Sequence, residues 1–84
     1  MTIPEELKIN LEDAVIDCVD KLPKIKNIIT VYVVDNDNFD LEFVNYWLGY
    51  ARATRDCIGN IYALEDLCVA LEKTREYLRN NGEE

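Results

Sequence analysis

The sequence predicts a small α+β domain dominated by helix: an N-terminal helix, a short β segment or hairpin, then one long or two shorter helices. Three observations predict it. Apolar residues recur at spacings of three and four towards both ends of the chain. Six of the seven residues from 28 to 34, Ile-Ile-Thr-Val-Tyr-Val-Val, are β-branched. Pro23 and Gly59 stand where such segments would end. An all-α bundle of three or four helices is the alternative, should the β-branched run be helical.

The first helix is expected over residues 2–21. Thr2 can cap it, Pro4 suits its first turn, and Glu5 and Glu6 face the positive end of its dipole. Leu7, Leu11, Ala14 or Val15, Cys18 and Leu22 form one apolar stripe. Glu12, Asp13, Asp17 and Asp20 fall off that stripe, so the helix carries a dense acidic face. Pro23 then interrupts the chain.

Residues 28–34 read as a strand on their β-branching. Asp35-Asn36-Asp37-Asn38 supplies turn chemistry, and Phe39, Leu41 and Phe43 alternate with Asp40 and Glu42 as a returning hairpin arm would. Without that arm the strand would need a second chain or a bound target as its neighbour. As a helix, the run would open at Pro23 and present Ile25, Ile28 or Ile29, and Tyr32 on one face, with Asp40 capping the next helix. β-branching lowers helix propensity by only tenths of a kcal/mol per residue, an amount burial can override.

Further on, Trp47, Tyr50, Thr54, Cys57, Ile61, Leu64, Cys68, Leu71, Arg75 and Leu78 keep an unbroken three-four repeat. A single helix over 45–79 would be about 50 Å long, which one small monomer cannot cover, so continuity would imply a dimer. The expectation is therefore a break near Gly59, with Asn60 capping the second helix. Cys57 and Cys68 lie on the stripe and are expected in the core, and Arg75 is expected to extend its charged end to water. Asn80-Asn81-Gly82 ends the helix.

Eighty-four residues make one domain. The chain holds 17 Asp and Glu against 9 Lys and Arg, a net charge of −8. Direct binding to nucleic acid or to an anionic membrane is disfavoured, and a basic protein partner is favoured. No apolar run approaches the ~18 residues of a membrane span, and the acidic N-terminus does not resemble a signal peptide. Cys18, Cys57 and Cys68 form no CxxC pair and read as reduced thiols, which places the protein in the cytoplasm.

The sequence contains no His, Ser or Gln. Ser-His-Asp and Cys-His catalysis and His-ligated metal sites are thereby excluded, and no enzyme or cofactor is expected. Residues 35–42, Asp-Asn-Asp-Asn-Phe-Asp-Leu-Glu, place oxygen ligands as a calcium loop would, but counting from Asp35 its sixth and twelfth places hold Asp40 and Tyr46 instead of Gly and Glu. A polar loop ending in a helix cap is the reading, with no metal site.

Lys and Arg are absent from residues 27–51, whereas Tyr32, Phe39, Phe43, Tyr46, Trp47 and Tyr50 all fall there. Phe43 and Trp47 have the spacing to pack inward, while Tyr46 and the loop acids should be exposed. Aromatic anchors beside carboxylates suit a basic protein surface. The expected partner-binding residues are Asp35, Asp37, Asp40, Glu42 and Tyr46, extending to Glu12, Asp13 and Asp17. The functional expectation is an acidic protein-binding module that inhibits or regulates a basic, nucleic-acid-binding partner. Its carboxylates would stand in for phosphates, as in phage-encoded inhibitors of restriction or CRISPR nucleases. A helical homodimer, or an obligate subunit of a larger assembly, is the alternative.

Overall fold

The β-branched run is helical, which changes the fold class. In the computed structural model, which describes residues 3–34, 36–59 and 61–81, the chain forms four α-helices: α1 (Glu5–Cys18), α2 (Lys26–Val34), α3 (Leu41–Ile58) and α4 (Tyr62–Asn80). Short 3-10 turns, Pro23–Ile25 and Asn36–Asn38, flank α2. No strand occurs among the described residues, so the expected α+β fold with its β segment or hairpin is corrected to the all-α alternative.

Burial explains the correction. Ile25, Ile28 and Tyr32 recur at helical spacing and are buried, with Ile29 and Val31 packed partly against the same core. The free energy of burying such side chains, about 1.5–3 kcal/mol each, exceeds the tenths lost to β-branching. The alternation at 39–43 was also misleading. Phe39 is buried in the connection between helices, whereas Leu41 and Phe43 already belong to α3.

The first helix keeps its expected stripe: Leu11, Ala14, Val15, Cys18 and Leu22 are buried, and Leu7 packs against them. It is shorter than expected, with Pro4 at its cap position and no side-chain cap there. Thr2 lies outside the described residues. The thiol of Cys18, at the end of α1, donates to the carbonyl of Ala63 near the start of α4 (3.0 Å). Residues 10–17 then lie along residues 66–73, so the two helices run antiparallel. α4 is the central element, packed along both α1 and α3, while α2 rests on α1.

The break at Gly59 is present. α3 ends at Ile58, and Gly59 has φ 97° and ψ 174°, a conformation that residues with a Cβ rarely adopt. The chain reverses there, and its longest dimension is 34 Å instead of the ~50 Å of a continuous helix. Ile61 occupies the cap position of α4, and Asn60, expected to cap it, lies outside the described residues. Arg52 pairs with Glu72 (2.8 Å) and Arg55 with Glu65 (3.6 Å) across the hairpin. A Cβ at Gly59 would meet no atom within 4 Å, so the cost of Gly59→Ala is confined to the backbone. It should lower stability by about 1–3 kcal/mol in urea unfolding.

The long three-four repeat describes α4 better than α3. Leu64, Cys68, Leu71 and Leu78 are buried, with Leu67, Ala70 and Thr74 beside them. The buried face of α3 is Val44, Trp47, Leu48 and Ala51, so Tyr50 and Thr54 lie at its edge. Cys57 is exposed, which corrects its expected place in the core. At the far end, the side-chain amide of Asn81 donates to the carbonyl of Tyr77 (2.8 Å), and Gly82 lies outside the described residues.

Tyr32 is 1 % exposed, and its hydroxyl has no hydrogen-bond partner among the described residues. Burial, with Glu12 and Glu5 adding to it, pushes the phenol pKa up and keeps it neutral. An unsatisfied buried hydroxyl is destabilising. Tyr32→Phe should therefore raise stability by about 1 kcal/mol, read as a higher urea midpoint at unchanged slope. A lower midpoint would show that the hydroxyl is satisfied.

Candidate functional site

The site begins where the chain enters α3. Asp40 is extended (φ −111°, ψ 176°), and its Oδ1 accepts a hydrogen bond from the Phe43 backbone N–H at 2.9 Å. This is a helix N-cap, anticipated by the helical reading of the middle segment. Glu42 sits in the first turn, where the positive end of the helix dipole favours a carboxylate. Tyr46 follows one turn later on the same side of the helix.

With Asn38 and Phe43, these residues line a shallow depression of about 390 Å³. Tyr46 is 60 % exposed, and its ring meets Trp47 edge-on at 5.1 Å. Trp47 is itself buried and contacts Phe43 (6.2 Å) and Tyr50 (5.5 Å). Phe39 continues the row from Phe43 to Tyr32, with centroids 5.2 Å apart at each step. The aromatic concentration at 32–50 is thus a packed row running from the core to one exposed ring. Trp47 is in the core as expected, and Phe43 is half-buried.

The expected binding residues do not form one face. Asp40, Glu42 and Tyr46 are brought together, and Asp37 is exposed in the turn just before them. Asp35 lies outside the described residues. On α1, Glu12 lies on the side of Tyr32, whose phenol it influences. Lys8 is on that side too, its Nζ 5.6 Å from the centre of the Tyr32 ring. Asp13 and Asp17 lie on the other side and line a second depression, between α1 and α4, together with Asp66 and Lys73. Sequence reasoning missed Asp66 and Lys73, although their seven-residue spacing places both on one side of a helix.

The buried thiols are poorly suited to chemistry. Burial, followed by the nearby charge of Asp17, pushes the Cys18 thiol up to about 11. Burial likewise raises the Cys68 thiol. Since the thiolate is the nucleophile, both are inert near neutral pH. Among the described residues, no group of three or more Cys, Asp and Glu is placed to hold a metal ion. No helix among them is long and apolar enough to cross a membrane. Comparison with family models, curated proteins and solved structures finds no match for the chain.

Proposed function

We propose that the chain is an acidic protein-binding module that takes a basic, nucleic-acid-binding protein as its partner and regulates it by occupying its phosphate-binding surface. The observation that carries this reading is the depression at the start of α3, where exposed Tyr46 stands beside Glu42 and Asp40 on a chain of net charge −8. An arginine or lysine of the partner can lie over the Tyr46 ring, a contact of about 0.5–1 kcal/mol at an exposed site. Glu42 meets the same cation at the rim. The buried Trp47 holds the tyrosine ring from behind, which reduces the entropy lost on binding. The long-range field of the chain speeds encounter with a basic surface.

The homodimer alternative assigned an apolar interface to the repeat of α4 and to residues 28–34. Leu64, Leu71, Ile28 and Tyr32 are within the chain's own core, which favours the first reading. Mutation at the proposed site should respect the cap: Asp40→Asn retains the acceptor, whereas charge reversal there would also disturb α3. Glu42→Lys combined with Tyr46→Ala should lower stability by only about 1–2 kcal/mol and keep the fold, because both side chains are exposed and Asp40 still caps α3. It should weaken the captured partner about tenfold or more in titration calorimetry. Unchanged affinity would remove the depression from the binding surface.

A further inference from the structure

We propose that the groove between α1 and α4 seats a short basic amphipathic helix of the partner protein. The proposal rests on the reading of the chain as a binder of basic proteins, and adds a second contact surface with its own specificity. Its floor is the crossing of the antiparallel helices, where Ala14 and Ala70 are both buried and Val69 is 40 % exposed. Such small side chains leave a channel of about 260 Å³ between the helices. Its rim carries Asp13 and Asp17 from α1 and Asp66 from α4, all exposed.

These aspartates have no evident structural task. Aspartate is a poor residue for helix interiors. Asp17 stands in the last turn of α1, at the negative end of its dipole, and that turn has no basic residue. None of the three joins an ion pair among the described residues, where Arg52–Glu72 and Arg55–Glu65 tie α3 to α4 instead. Asp13 and Asp17, one turn apart on α1, repel each other, and a cationic occupant of the groove would relieve that repulsion. Lysines or arginines flanking a stripe of small apolar residues would match both rim and floor.

Charge also orients the occupant. The groove runs from the Asp17 and Asp66 end to the end holding Asn10 and Lys73. A docked helix is favoured with its positive N-terminus towards the aspartates and its negative C-terminus towards Lys73. A second copy of this chain or an anionic lipid surface would instead bring like charge to the rim.

The probe is a short helical peptide of alanine, leucine and lysine, with lysines flanking its apolar stripe, titrated into the full ¹⁵N-labelled chain. A scrambled, unstructured peptide of the same composition is the comparison. Amide shifts should centre on Ala14, Val69 and Ala70, and the scrambled peptide should bind about tenfold more weakly. The exposed-site variant Asp13→Asn/Asp17→Asn/Asp66→Asn should keep its helical circular dichroism and lose about tenfold in affinity for the helical peptide. Equal binding of both peptides, or unchanged affinity in that variant, overturns the groove as a helix seat. The Glu42→Lys/Tyr46→Ala protein separates the two proposals. It should bind the peptide normally, and its partner capture reports on the α3 depression alone.

Discussion

Leu71→Asp is expected to leave the chain unfolded at 25 °C. Leu71 is fully buried in the middle of α4, the helix that packs on both α1 and α3. A carboxylate there loses its hydration in a core cluster of apolar side chains, and the packing of the leucine is lost with it. The buried charge costs about 3–5 kcal/mol and the lost leucine packing about 2–5 kcal/mol more, together about 5–10 kcal/mol. A domain of this size has roughly 5–10 kcal/mol in total. The substitution should abolish the cooperative urea transition and most of the helical circular dichroism. Leu64→Asp should do the same. A Leu71→Asp protein that stays folded and cooperative would show that this position is not sealed inside the chain's own core, and dissociation of a dimer by the same change would assign the face to a second copy.

The second large effect is expected at Phe39. It is fully buried although it lies in the connection between the Asn36–Asn38 turn and α3. Its ring meets Tyr32 of α2 edge-on (5.2 Å, 88°) and Phe43 of α3 (5.2 Å). Phe39 therefore links α2 to α3, two helices that share few direct contacts. Phe39→Ala should cost about 3–5 kcal/mol through lost burial and a residual cavity. Phe39→Leu, which refills most of the volume, should cost substantially less. The urea midpoints of the two variants check this, and equal midpoints would show that the site does not behave as a packed aromatic junction.

The sequence was most legible where one physical signal dominated. The apolar stripe of α1 identified its buried face, and Gly59 marked the reversal because glycine tolerates the backbone found there. Residues 28–34 were misread because nearly every position is apolar, leaving no polar alternation to separate a strand from a buried helix. Propensity then decided wrongly against burial. Cys57 was misplaced because the repeat crosses the Gly59 reversal without a visible gap, although the buried face of α3 is offset from it.

The candidate site was legible in part. Tyr46 stood out as an aromatic among acids, and it is exposed beside two of them. The separation of Glu12 from Asp13 and Asp17 could not be seen from α1 alone. It depends on which neighbour each side of that helix meets: Tyr32 on one side and α4 on the other. The roles of Asp40 and Glu42 are also double, since both stabilise the start of α3 whatever they bind.

The most direct test of the central claim is capture of a partner from the cells of origin, with the unaltered chain and the Glu42→Lys/Tyr46→Ala variant side by side. The proposed function predicts one predominant basic protein, retained by the unaltered chain, lost with the variant, released by raised salt and displaced by duplex DNA. Equal retention by both chains, or a partner that duplex DNA does not displace, would contradict it.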